Sequence, residues 1–173
     1  GIIAAKIHLL PCIPLTNVMS DIQTLSSSNI LGLLSCLLPI SVPDTKRSMT
    51  FPSQTDFGFV LEKLMTEYDR MELFEKNFES GENYHVQYDM FPYVSQWIDL
   101  QTSEDCVQLL HRVQAEKGVH TGDFMKFLIN MNNVVEEFQN VAEYMGNMTF
   151  LRELTNIPPM IMKYIISNQS LYV

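Results

Sequence analysis

Apolar residues recur along most of this chain at three- and four-residue steps, and they almost nowhere alternate. The clearest stripe is Phe124, Phe127, Leu128, Met131, Val134, Val135, Phe138, Val141, Ala142 and Met145. That spacing predicts an amphipathic helix over about 122–145, the strongest in the chain. Thr121, Gly122 and Asp123 form its predicted cap, and Gly146-Asn147 its predicted stop. A second stripe, Phe57, Val60, Leu61, Leu64, Tyr68, Met71, Phe74 and Phe78, predicts a long helix over about 57–79. Glu62, Glu67, Asp69, Glu72, Glu75 and Glu79 fill its other faces, and Ser80, Gly81, Glu82 and Asn83 are the expected end.

The shorter elements follow from punctuation. A short helix is expected over 15–25. Ser26, Ser27, Ser28 and Asn29 supply cap candidates for a helix over about 30–38, stopped near Pro39. Residues 41–54, with Pro43, Asp44, Lys46, Arg47, Pro52 and Ser53, read as a loop and a candidate internal boundary. The aromatic-rich stretch from Tyr84 to Trp97 contains Pro92, so a helix there starts near it or is kinked. Thr102 with Glu104 and Asp105 caps a short helix reaching about Arg112, and Lys117-Gly118 ends that region. A last helix from about Met148 is expected to be interrupted at Pro158-Pro159 and to resume over 163–167. The predicted class is all-α, a helical bundle with one long central helix. The bundle occupies 15–173, and 1–14 is the apolar tail of a connector.

A chain of 173 residues with 46% apolar and 18% charged residues has enough material for a packed core. The net charge of -9 argues against gripping nucleic acid or an anionic membrane by bulk charge. Its location sharpens this. Residues 56–105 hold twelve acids and three bases, and the rest of the chain is neutral. An acidic run of this kind is ordinarily a solvated helix face; it is also a surface that a basic protein partner would meet, at the acidic helix 56–79.

Candidate chemistry is sparse. Cys12, Cys36 and Cys106 are odd in number and widely spaced, with no CxxC, and His8, His85, His111 and His120 show no metal-ligand spacing with them. This pattern points to buried thiols in a reducing, intracellular setting, nucleus or cytoplasm, without a metal site. The longest apolar run, 29–42, is interrupted by Gly32, Ser35 and Pro39 and is too short to span a bilayer, so no membrane partner is expected. No phosphate-binding loop, GxGxxG, HExxH or GxSxG pattern occurs, so no catalytic residue and no cofactor is assigned to this chain. The paired acids Glu104-Asp105 and Glu136-Glu137 are sequence neighbours, and on a helix they point about 100° apart. One constellation has binding capacity. Lys126, Asn130, Asn133, Glu137 and Asn140 step by four and three residues, a polar ridge beside the apolar stripe of the 122–145 helix. Amides there can bond both phosphates and base edges.

Several segments together resemble the C-terminal helical domain (DSHCT) of exosome-associated DExH-box RNA helicases, the superkiller and TRAMP types. Gly1, Ala4 and Ile7, followed by Gly32-Leu33-Leu34-Ser35-Cys36, resemble that family's "G-x-x-A-x-x-I … A-L-L-S-C". Tyr93 to Trp97 resembles its "V-Y-x-W", and Gly122 to Lys126 its "E-G-x-x-I-R". Met145-Gly146-Asn147 resembles an "I-G-N" turn, and Ser170 to Val173 the terminal "S-L-Y-L". The order and spacing match over nearly the whole chain, apart from the 41–54 loop and the acidic helix.

The resemblance implies a non-catalytic bundle beside two RecA-like domains, with its long ratchet helix lining a single-stranded RNA path. ATP and magnesium would be bound upstream, in the helicase core, and 1–14 would be the tail of a linker from an upstream domain. Hydrolysis would move the RecA-like domains while this bundle holds the strand between steps. The RNA-facing residues carried over are Lys126 and Asn130, with Asn133 and Glu137 further along the same ridge. The departures are specific. The family has two arginines where this chain has Lys126, which keeps charge without the planar fork, and Asn130, which has none. Its acidic residue after "L-L-S-C" falls near Ser41, and its basic dipeptide on the last helix is reduced to Lys163. The resemblance therefore implies a weakened RNA contact. The alternative from the charge pattern is an all-α protein-interaction or scaffolding module with no nucleic-acid contact.

Overall fold

In a computed structural model, residues 12–76 and 86–165 are described, and among them every regular element is helical. The α-helices are α1 (Cys12–Ile22), α2 (Ser27–Leu37), α3 (Gly58–Lys76), α4 (Phe91–Ile98), α5 (Ser103–Lys117), α6 (Thr121–Met145), α7 (Met148–Thr155) and α8 (Ile157–Met162). A single 3-10 turn, Asp44–Lys46, interrupts the loop between α2 and α3. The all-α bundle expected from periodicity is the fold observed. The 1–14 connector, the 80–83 helix end, the 167 end of the last helix and the two terminal motifs lie wholly or partly outside the described residues.

The centre of the bundle is α2. Its buried residues, Ser27, Ile30, Leu31, Leu33, Leu34, Ser35, Cys36 and Leu37, point in every direction around the axis. A helix apolar all round belongs in the interior. It packs on α4 and also touches α3, α6 and α8. The longest helix, α6, is instead amphipathic, packing on α5, α7, α8 and α2 with its other face in solvent. The long helix of the sequence pattern is present; the hub is a shorter one. Gly32 lets α3's leading residue close on that hub. A Cβ there would stand 2.3 Å from the Phe57 ring.

Both ends of α2 are capped by distant groups. The serine run does not do it, since Ser26 holds the N-cap position without a side-chain cap bond. The Glu153 carboxylate accepts from the Ser27 N–H at 2.9 Å and from its hydroxyl at 2.8 Å. At the other end, the Gln87 side-chain amide donates to the Ser35 carbonyl, and its backbone N–H donates to the Cys36 carbonyl at 2.9 Å. The same Gln87 side chain accepts from the N–H groups of Asp89 and Met90, at 2.8 and 3.1 Å, where α4 begins. One glutamine thus satisfies orphan groups at the end of one helix and the start of the next.

Other boundaries follow local rules. Thr102 accepts from the Asp105 N–H at 3.1 Å and caps α5. The helix runs past Arg112 to Lys117 because Val113 continues its buried stripe, and it stops at Gly118, with φ +65°. Gly146, with φ +69°, stops α6 in the same left-handed conformation. Thr121 is already helical, and the N-cap of α6 is His120, without a side-chain cap. Pro158 and Pro159 do not interrupt a helix; they open α8, where a missing N–H and a fixed φ cost nothing. Pro92 opens α4 in the same way.

The 41–54 segment is pinned to the bundle. Asp89, 2% exposed, accepts from the Ser48 N–H at 2.6 Å and from the Lys117 ammonium at 2.9 Å. Lys117 also donates to the Lys46 carbonyl, and Lys46 to that of Ala115. A loop by composition is here a strap across the C-terminal end of α5.

Candidate nucleic-acid interface

The ridge is built by one helix and two constraints. The buried stripe Phe124, Phe127, Leu128, Met131, Val134, Val135 and Phe138 fixes the rotation of α6. That rotation leaves Lys126, Asn133 and Asn140 exposed and Asn130 and Glu137 half-buried. At 1.5 Å per residue the ridge is about 21 Å long. No side-chain hydrogen bond or ion pair engages these five residues among the described residues. Their donors and acceptors therefore face solvent or a ligand. The structure brings the four sequence-predicted site residues, Lys126, Asn130, Asn133 and Glu137, onto one continuous line.

The electrostatics are unfavourable to a strong phosphate grip. Lys126 is the only base on α6, which carries four acids, Asp123, Glu136, Glu137 and Glu143. Asp123 lies in the first turn, where it complements the helix dipole. Contacts through amides, which need no net charge, are what this surface has to offer.

The stripe itself differs from its sequence pattern at four places. Val141 is half-buried. Met145 is 58% exposed and not core; with Tyr144 and Met148 it forms an apolar corner at the α6–α7 turn. Met125 is buried beside the expected stripe. Asn132 is buried too. Its amide donates to Glu136 at 3.3 Å, while its Oδ1 has no partner among the described residues. Sequence reasoning missed Asn132; the available signal was an amide between the buried positions 131 and 134.

Segments that carry the family resemblance meet in the core. Trp97 is 1% exposed, and its indole N–H donates to the Ile161 carbonyl at 2.9 Å. Its ring packs edge-to-face against Phe124 of α6, centroids 6.0 Å apart, and against Tyr164. The only Trp is therefore a core residue, as large aromatics usually are. The Leu100 carbonyl accepts from Lys163 at 2.7 Å and from the Tyr164 hydroxyl at 3.3 Å. Lys163 is thus tied to this chain's own backbone. The Gly32–Cys36 segment lies on α2, and the Gly1–Ile7 and Ser170–Val173 segments lie outside the described residues.

The remaining chemistry is structural. Cys36 and Cys106 are buried, and burial pushes the Cys36 thiol up to about 12. Among the described residues no three His, Cys, Asp or Glu side chains converge on a point that could hold a metal ion. No helix among them is long and apolar enough to cross a membrane. On the acidic helix α3, Glu67 is engaged by Asn17 and Arg70, and Lys63 pairs with Asp21 at 3.1 Å, while Glu62 and Asp69, and Asp56 just before the helix, face solvent.

No protein-family model, curated protein or solved structure matches the chain.

Proposed function

We propose that this bundle is a non-catalytic wall of the single-stranded RNA path in an ATP-dependent RNA helicase, seated beside RecA-like domains that bind ATP and magnesium. The observation that carries the reading is the unengaged amide ridge of α6, in register with the family-like Gly122–Lys126 segment. Lys126 contacts a phosphate; Asn130 and Asn133 contact phosphates or base edges; Glu137 accepts from a base amine or a ribose hydroxyl. The buried Trp97–Phe124 contact supports the ridge from behind. Affinity comes from the RecA-like domains, and this wall holds register between steps.

The test is Lys126→Ala with Asn130→Ala in the protein together with its ATPase domains. Each contact is worth about 1–3 kcal/mol, so RNA-stimulated ATPase and unwinding should fall by about fivefold or more. Unchanged unwinding and stimulation would overturn the assignment. The present chain alone should bind single-stranded RNA weakly. A Kd tighter than about 1 µM at physiological salt contradicts the reading, because a face with this charge balance releases few counterions.

A further inference from the structure

A second surface lies away from the α6 ridge. Two cavities of about 520 and 540 Å³ flank the start of α4 and share Gln54, Thr55, Phe91 and Pro92. They are two halves of one groove, divided by the Phe91-Pro92 step, and no residue of α6 lines either half. The strap from Ser48 to Phe57 and the segment from Tyr88 to Ile98 form its length, with Ser28–Gly32 of α2 closing one half and Arg112–Lys117 of α5 the other.

The groove has three chemical properties. First, its aromatic rings are half-exposed. Phe51, Tyr88 and Phe91 each present surface to it, whereas Phe57 and Tyr93 beneath them are buried. Phe51 stands edge-on to Tyr88 with centroids 5.6 Å apart, and Phe57 edge-on to Phe91 at 6.0 Å, so the rings hold fixed orientations. Second, the rim offers unused donors. Gln54 and Ser95 make no side-chain hydrogen bond among the described residues, and Gln96 spends only its carbonyl oxygen, on Arg112 at 2.6 Å. Third, the lining is left with one acid in excess. Lys117 is spent on Asp89 at 2.9 Å and Arg112 on Glu116 at 3.5 Å, which leaves Asp56 exposed and without a partner among the described residues. Together the two halves are lined by three acids, Asp56, Asp89 and Glu116, and two bases, Arg112 and Lys117.

These properties select among extended ligands. A strand-adding peptide needs a sheet edge, and the described residues have none. A helix needs one unbroken apolar trough, and the Phe91-Pro92 step divides this one. A polyproline segment exposes backbone carbonyls, has no N–H at its prolines, and sets successive side chains into separate aromatic-walled clefts. Free donors on the rim and rings in the clefts match that backbone, and the unpaired acid matches a basic side chain.

We propose that this groove is a docking site for a proline-rich segment of a partner protein bearing arginine or lysine. The segment lies across Phe91-Pro92, its carbonyls accept from Gln54, Ser95 and Gln96, and its basic side chain reaches Asp56. The proposal is independent of the RNA reading, since it uses none of the same residues.

The experiment is calorimetric titration of the whole chain with a synthetic peptide of three Pro-Pro-Arg triplets. Two controls are peptides of three Gly-Gly-Arg and of three Pro-Pro-Glu triplets. Binding of the first is expected with a Kd on the order of 100 µM or tighter, and each control should bind at least about tenfold more weakly. Asp56→Asn, at an exposed residue, and Gln96→Ala, at a half-buried one, should each weaken it by about three- to tenfold while the circular dichroism spectrum stays helical. Equal affinity for the Gly-Gly-Arg peptide would reduce the site to nonspecific charge attraction and overturn the proposal. So would no detectable heat at about 1 mM Pro-Pro-Arg peptide, or undiminished binding in both variants.

Discussion

Helices α2 and α6 contribute to the molecule in opposite ways. α2 has eleven residues and buries eight of them; α6 has twenty-five and keeps one face in water. The short helix depends on others for everything, including the caps at both its ends. The long one is fixed by its own stripe and presents the rest. Length identifies the helix that can carry a function on its surface. Burial of most of its residues identifies the helix that the fold cannot lose. If that division holds, substitutions around α2 should be read in stability and substitutions along α6 in binding.

The largest expected effect is therefore in α2. Leu34 is 1% exposed, and Leu34→Ala leaves a cavity at the meeting point of several helices. The cost should be about 2–5 kcal/mol in urea unfolding, a large part of the stability of a domain this size. A loss under about 1 kcal/mol would mean that the hub can collapse around the gap. Next comes the borrowed cap. Glu153→Ala removes the acceptor for the Ser27 N–H, while the Ser27 hydroxyl keeps the backbone carbonyl of residue 153 at 2.8 Å, and should cost about 1–2 kcal/mol. Glu153→Gln retains an acceptor and should cost less. Equal losses in the two variants would show that the carboxylate's charge, and not its hydrogen bonding, serves α2.

The same comparison explains what the sequence made legible. Periodicity marked α6, and glycine marked its end at Gly146, because both signals are local to the chain. The sequence pattern places the end of α5 five residues early, at Arg112, although it marks Gly118 as the end of the region. The cap of α2 was not, because its donor and acceptor lie 126 residues apart and four serines and asparagines nearby looked sufficient. Pro158-Pro159 reads as a break in any helical pattern; only the direction of the preceding turn makes it a beginning. Met145 fits the stripe but projects beyond the end of the packed face, and Asn132 breaks the stripe yet is buried. The ridge was legible as spacing on one helix. The α4 groove was not, because its walls come from positions 28–32, 48–57, 88–98 and 112–117, which no periodicity connects.

The smallest expected effect tests the comparison from the other side. Asn130→Ala and Asn133→Ala remove side chains that make no bond among the described residues, and alanine is the better helix former by several tenths of a kcal/mol. Each variant should be unchanged or more stable by up to about 0.5 kcal/mol in urea unfolding. Lys126→Ala should likewise stay within about 0.5 kcal/mol. Asparagine at these mid-helix positions thus costs the fold a little by helix propensity. The informative result is the pairing of signs, with higher stability and weaker crosslinking to single-stranded RNA in the same variant. A loss of more than about 1 kcal/mol on removing Asn133 would instead place the ridge in the packed structure and take away its standing as a binding surface.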